Sequence, residues 1–441
     1  MGNTKQKVCV IGLDGTPFSL LNSLAGEGIL PNIDKLFKSG TAVPMTTALP
    51  EISSVAWTSF MTGVNPAKHS IFGFTDLIAG SYNLRFPNSL DVKSQTLWER
   101  LGQGNKRSVV INVPSTYPAA EINGTLVSGF VSPDFSKAVY PPSLISRLQE
   151  SGYRIDIDLE KAFQSKDFLL EDANDALEKR LTTIGDLFNS EQWDLFVGVV
   201  TETDRLHHFL WAELEEDNNS RYKEGVLNCY KEIDNMIGEI YEGLDDETLF
   251  IILSDHGFCG VKKQVYLNQW LYKNDYLAFK KPEPALLMDI EGAKTKAFCM
   301  DPGRIYINTK SRFGEGIVDS VSYEPLRDEL IAAISELRAP DGEPIANKVY
   351  RKEEIYHGPY INEAPDLLVL ANPGWDLKGS VAGQDFLRNG PWSGMHTHDN
   401  AVFYINRNIN TKDVNIIDLM PTILKYLEID TGADIDGRQL L

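Results

Sequence analysis

The chain has 441 residues, with 42 Lys and Arg against 62 Asp and Glu, a formal charge of -20 and seven histidines. That balance excludes binding to a nucleic-acid scaffold, which needs basic surface to neutralise phosphates, while 42% hydrophobic residues exclude a disordered chain. No apolar run approaches the roughly 20 residues that span a bilayer, the N-terminus lacks a signal-peptide-like apolar region, and a cytoplasmic location is expected.

In chain order, Val8 to Gly12 is a short apolar run rich in β-branched residues and bounded by glycine, which reads as a buried strand. Similar runs recur at Ser108–Val113, Leu195–Val200, Thr248–Leu253 and Leu367–Leu370. Helical periodicity falls between them at Asn32–Lys38, Gln95–Leu101, Leu144–Glu150, Glu171–Phe188 and Lys223–Glu242. Strands alternating with helices predict an α/β fold, a mainly parallel sheet sandwiched by helices. From Lys262 to Gly379 prolines multiply and the alternation is lost, so residues 1–261 and 380–441 are expected to form a core and 262–379 an inserted, less regular subdomain. A last helix is expected near Asp418–Leu427. Acidic clusters at Asp156–Asp175 and Glu213–Asp217 read as solvated faces. Cys9, Cys229, Cys259 and Cys299 have no CxxC spacing, so any metal is expected on oxygen and imidazole.

Three apolar strands lead into aspartates: Asp14, Asp204 and Asp255. In open α/β sheets the binding crevice lies beyond the carboxyl ends of the strands, so these carboxylates can share one cleft. Taken singly, Asp14 reads better as a helix cap. Asp204 and His208 are spaced i, i+4, on one face of a helical turn. Asp255 and His256 can reach one ion only where their strand has ended and the chain turns, which Gly257 permits. The loop Gly394–Asp399 adds His396 or His398. Such a set can furnish two divalent ions, and ions roughly 4 Å apart form a clamp for phosphoryl transfer. The stretch Pro50–Gly63 supplies hydroxyls near a predicted helix start, where N–H groups suit a phosphoryl group; spacing leaves Ser53 and Ser54 as alternatives.

These segments occur in an ordered set: Ile11-Gly-Leu-Asp-Gly15, Leu30-Pro-Asn-Ile-Asp-Lys-Leu36, Thr62-Gly-Val-Asn-Pro-Ala-Lys-His69, Ser254-Asp-His-Gly257, and Asp418-Leu-Met-Pro-Thr-Ile-Leu424 followed by Asp436-Gly-Arg438. With Gly303–Asn308 and His357–Asp366, the set resembles the alkaline phosphatase superfamily, within it the type I phosphodiesterase and nucleotide pyrophosphatase branch. The resemblance implies an alkaline-phosphatase-like core and two divalent ions, zinc first and manganese second. It puts Ser53 at the nucleophile position, one ion on Asp14, Ser53, Asp255 and His256, and the other on Asp204, His208 and His396. His69 and His357 then fall to structural roles, with an approach to substrate from the insertion as the alternative for His357, and Arg205, Lys263 and Arg304 are candidate substrate contacts. Phe74 stands where nucleotide pyrophosphatases carry a phosphate-holding asparagine, and the residues after Ser53 do not form the sulfatase motif.

The function expected is metal-dependent hydrolysis of a phosphodiester or pyrophosphate bond in a small molecule or nucleotide through a phosphoserine. A phosphomonoesterase, a phosphomutase or phosphotransferase, and an inactive metal-binding relative are the alternatives. A dinucleotide site at Val8–Gly15 is excluded, because Asp14 occupies the place of the second glycine.

Overall fold

A computed structural model describes residues 6–215 and 220–441. Glu216 and Asp217 of the acidic run at Glu213–Asp217 lie outside the described residues. The chain divides into two units, one comprising residues 1–65, 88–259 and 396–441, the other residues 66–87 and 260–395.

The larger unit is built on an eight-stranded sheet in the order Thr41–Met45, Ala401–Ile405, Leu249–Leu253, Val8–Leu13, Leu195–Val200, Ser108–Val113, Gly124–Ser128, Val139–Tyr140. The five strands from Leu249–Leu253 to Gly124–Ser128 pair in parallel, and the outer ones are antiparallel. Four of the apolar runs are the central strands, buried along their whole length. One sheet face carries Val8, Val10, Val197, Val199 and Ile251 and packs with Trp57, Phe60, Leu97, Leu419 and Ile423 from the helices Ser53–Thr62, Leu97–Gln103 and Leu419–Tyr426. The opposite face is covered by Lys166–Ser190 and Arg221–Glu242, through edge-to-face packing of Phe188 on Phe196 and a tilted contact of Tyr241 with Phe250. The fold is α/β, a mostly parallel sheet between helical layers. Among the described residues no helix is long and apolar enough to cross a membrane.

The smaller unit is more regular than its prolines predict. It holds a four-stranded antiparallel sheet ordered Ala297–Met300, Arg304–Ile307, Leu367–Ala371, Ala346–Arg351, and a three-stranded sheet around Lys263–Tyr266. The run at Leu367–Leu370 therefore belongs here and not to the parallel sheet; a strand buried on both faces leaves the same apolar signature in either setting. The unit also takes in residues 66–87, which the sequence pattern leaves with the core. Tyr82 explains why: its ring stacks on Phe313 at 5.4 Å and meets Phe298 at 5.6 Å, and its hydroxyl donates to Asn308 Oδ1 at 2.8 Å.

Candidate active site

Register brings the aspartates together. Gly12 pairs with Leu253 and Leu13 with Val200. Asp14 and Asp255 each stand two residues beyond a paired position, so they emerge level from neighbouring strands. The Gly15 N–H donates to Asp255 Oδ1 at 3.0 Å, and the Asp14 N–H to the Val200 carbonyl at 2.9 Å. Asp14 caps no helix: the next one, Phe18–Gly26, is preceded by Pro17. Asp204 lies in the first turn of the helix Glu202–Glu215, one turn before His208. Gly15 has φ +62, and a Cβ there would sit 3.0 to 3.2 Å from Asp204 atoms, so this turn requires glycine. Gly257 plays a different part from the turn expected of it. It starts the short strand Gly257–Gly260, and a Cβ there would collide with the Thr397 hydroxyl and the Asn400 carbonyl.

Ser53 opens the helix Ser53–Thr62 and is 2% exposed. Its Oγ lies 3.2 Å from His256 Nε2 and 3.4 Å from Asp14 Oδ1. Ser54, the alternative hydroxyl, is also buried, but no hydrogen bond joins its Oγ to that pair. Asp14, Asp255 and His256 present ligand atoms within 4.8 Å of one another, and so do Asp204, His256 and His396. His208 joins the second group, its Nε2 being 3.4 Å from Asp204 Oδ1 and 3.0 Å from His396 Nε2. All seven residues expected to bind metal therefore meet in the larger unit. His398 does not join them; its ring is pushed below the usual imidazole pKa by burial, and its carbonyl accepts from Thr47 N–H.

Hydrogen bonding fixes the imidazole tautomers. His256 Nδ1 faces the Gly257 carbonyl at 3.1 Å, and His396 Nδ1 faces the Glu51 carbonyl at 2.9 Å. A carbonyl only accepts, so each Nδ1 donates, and each ring, when neutral, turns an Nε2 lone pair toward the carboxylates. Asp204 Oδ1 and Asp255 Oδ2 are buried and have no hydrogen-bond donor among the described residues. Acceptors converging without donors fit divalent cations, and the oxygen and imidazole donor set suits zinc or manganese.

Electrostatics agree. Burial, and then the charges of Asp255 and Asp204, push Asp14 well above the usual carboxyl range despite the Trp57 N–H on its Oδ2 at 3.0 Å. Burial pushes Asp255 up to about 6, opposed by the Gly15 N–H and reinforced by Asp204. Burial acts on Asp204 too, but His208, His396 and Arg205 together hold it well below the usual range. His256 is pushed well down by burial. His396 is raised, because its contact with Asp204 outweighs its burial.

The remaining candidates fall elsewhere. Lys263 and Arg304 belong to the smaller unit and are engaged within it: Lys263 donates to Asn389 at 2.5 Å, and buried Arg304 donates to the carbonyls of Asp301 at 2.6 Å and Thr75 at 3.0 Å. Arg304 thus braces a loop. Phe74 and exposed His357 lie in the same unit, as does buried His69, whose Nδ1 accepts from Ile71 N–H. Arg205 stays with the cluster, bonded to Asp204 and Asp156. The acidic run at Asp156–Asp175 is therefore not merely solvated, since Asp156 holds Arg205 and Asp172 holds Arg154. Trp57 escaped the sequence reading, although its i, i+4 spacing from Ser53 puts both on one helix face. So did His207, whose Nδ1 lies 2.9 Å from the Gly15 carbonyl and whose Nε2 lies 3.0 Å from the Tyr230 hydroxyl. Nothing local separates it from its neighbour His208.

Known proteins share the fold. Phosphonoacetate hydrolase from Sinorhizobium meliloti 1021, solved with phosphonoacetate, superposes with a TM-score of 0.67 at 14% identity over 96% of each chain. Murine ectonucleotide pyrophosphatase/phosphodiesterase 5 superposes with 0.57 at 15% identity, over 97% of this chain and 96% of its own. An inactive form of the murine protein, in complex with AMP, superposes with 0.56 at 14% identity. A search of curated protein sequences returns no match. The superposed proteins share the fold of this chain, an alkaline-phosphatase-like one. The chain belongs to the type I phosphodiesterase / nucleotide pyrophosphatase family, whose model matches residues 8–399, and which is a family of phosphoester hydrolases.

Proposed function

We propose that the protein is a two-cation hydrolase that cleaves a phosphodiester or pyrophosphate bond of a small molecule or nucleotide, with Ser53 as nucleophile. The observation that carries this reading is the Ser53 hydroxyl at a helix N-terminus, 3.2 Å from His256 Nε2 and 3.4 Å from Asp14 Oδ1. Asp14, Ser53, Asp255 and His256 would hold one cation and Asp204, His208 and His396 the other, zinc being the first choice and manganese the second. When bound, the pair would lower the pKa of the serine hydroxyl and offset charge on the phosphoryl group.

Ser53, deprotonated, attacks phosphorus; the bond to the leaving oxygen breaks, and a phosphoserine ester remains. Water then attacks the same phosphorus and releases Ser53. The positive end of the helix Ser53–Thr62 would favour negative charge on a phosphoryl group held at Ser53. The three buried carboxylates and the serine alkoxide balance two dications, so an anionic substrate can approach in spite of the acidic chain. The phosphonoacetate and AMP complexes of proteins with the same fold support a small phosphorus oxyanion as ligand. No disulfide joins Cys9, Cys229, Cys259 and Cys299, which fits a reducing, cytoplasmic setting.

The test is Ser53→Ala, assayed on aryl phosphate mono- and diesters with zinc and with manganese. Turnover should fall at least a thousandfold while the variant still binds two ions. A fully active Ser53→Ala protein would refute the mechanism.

A further inference from the structure

Arg205 was expected to meet substrate, yet each of its guanidinium nitrogens is engaged by a carboxylate. Nε lies 3.0 Å from Asp156 Oδ1, Nη2 2.7 Å from Asp156 Oδ2, and Nη1 3.0 Å from Asp204 Oδ2. The guanidinium also lies over the Phe130 ring, 4.5 Å from its centroid. We propose that Asp156 and Arg205 form a positioning clamp that turns the Asp204 carboxylate, giving one oxygen to Arg205 and presenting the other to His208 and His396. The proposal rests on the two-cation reading above.

Adjacent side chains on a helix point in different directions, so Arg205 reaches Asp204 only by folding back. The fork-to-fork pair with Asp156 and the ring beneath hold it in that shape. The outcome is visible in Asp204. Its Oδ2 is taken by Arg205, while Oδ1 lies 3.2 Å from His396 Nε2, 3.4 Å from His208 Nε2 and 4.0 Å from His256 Nε2, buried and without a hydrogen-bond partner among the described residues. A carboxylate clamped by one oxygen turns the other, with both its lone pairs unspent, toward a cation. Asp156 also compensates the Arg205 charge, which would otherwise oppose a cation beside Asp204.

Both arms of the clamp stand on one buried base. Arg180, with its side chain fully buried, grips Glu202 at 2.8 Å, two residues before Asp204. The same guanidinium donates to the Tyr153 hydroxyl at 2.6 Å and the Ile155 carbonyl at 2.9 Å, immediately before Asp156. One cation therefore fixes the two segments that carry Asp156 and Asp204.

The test titrates the full-length protein with zinc against a chromophoric chelator, comparing the parent with Arg205→Met, Arg205→Lys and Asp156→Asn. The parent should take up two ions. Arg205→Met should weaken one of them by about 10- to 100-fold, the usual effect of removing a group that orients a metal ligand, and leave the other unchanged. Asp156→Asn should weaken the same ion less. Arg205→Lys should recover part of the loss, because an ammonium reaches Asp204 but cannot fork onto Asp156. Unchanged affinities in Arg205→Met overturn the clamp alone. Equal weakening of both ions also overturns it, since that marks general damage to the fold. A parent protein that binds fewer than two ions overturns the two-cation reading, and the clamp with it.

Discussion

Without cations, replacing Asp255 by asparagine should stabilise the protein at neutral pH, and with zinc it should do the reverse. Asp255 is fully buried beside Asp14, and its carboxyl is pushed from 3.8 up to about 6. Unfolded, it ionises near 3.8; folded, it keeps its proton to about 6. Between these values the folded state holds a proton that the unfolded state has lost, so stability is greatest below pH 4 and falls as pH rises through 6. A shift of roughly two units corresponds to ~3 kcal/mol. Asparagine cannot ionise, and its Oδ1 can still accept from the Gly15 N–H that now donates to Asp255. In chelator, Asp255→Asn should match the parent at pH 4 and exceed it by ~3 kcal/mol at pH 7.5. Saturating zinc should stabilise the parent by RT ln(1 + [L]/Kd) and the variant far less. Urea unfolding at pH 4, 5, 6 and 7.5, with chelator and with zinc, measures both effects. A difference that does not change with pH in chelator, or a variant less stable than the parent there at pH 7.5, would refute the reasoning.

Trp57→Phe keeps most of the ring volume but removes the N–H on Asp14 Oδ2 at 3.0 Å; losing a hydrogen bond to a charged group costs about 1.5–3 kcal/mol. Zinc titration should show the ion on the Asp14 side weakened by about 10- to 100-fold, and an unaltered affinity would contradict the role given to Trp57. Gly15→Ala must adopt φ +62 and set a Cβ against Asp204, a strain of roughly 1–2 kcal/mol; aryl ester assays should record at least a tenfold fall in kcat. Arg180→Met leaves Glu202 buried without its partner, which should cost about 3–5 kcal/mol in chemical denaturation, whereas Arg180→Met with Glu202→Leu should regain much of the loss.

Four of the five parallel strands, and the aspartates that follow three of them, were legible because each of the four is buried on both faces and reads as an unbroken apolar run; Gly124–Ser128, with only two large apolar residues, was not. Asp204 and His208 were legible because a helical turn imposes their spacing. The edge strand Thr41–Met45 and its inner neighbour Ala401–Ile405 were not; Pro44 interrupts the first, and the second is a short run with no helical pattern beside it. Their pairing joins segments more than 350 residues apart, which no local pattern records. The prolines between Lys262 and Gly379 concealed order by falling in the connections, except Pro325 within the helix Ser320–Ser335. Tyr82 drew residues 66–87 into the smaller unit through ring contacts that local sequence does not encode. In the site, the Glu51 carbonyl that fixes the His396 tautomer belongs to the backbone, so residue type could not reveal it. Asp156 was misread because an acidic run looks the same whether its members face water or a buried arginine.

The carboxylates at the centre are not equivalent, and the difference gives the two halves of the proposed site different characters. Asp204 is already compensated within the protein by Arg205 and two imidazoles, and its pKa is held down. Asp14 and Asp255 are buried beside each other, the N–H groups of Trp57 and Gly15 and the Ser53 hydroxyl do not offset that burial, and theirs are raised. Folding therefore stores repulsion on the Ser53 side, and a cation is the species that relieves it. The net charge of -20 does not express this, because most acidic side chains are solvated and cost little, whereas these few are buried. A neutral pair at Asp14 and Asp255 would pack at less cost. Keeping both acidic, beside a serine hydroxyl and two imidazole lone pairs, is better explained by the chemistry of a bound cation than by the stability of the fold.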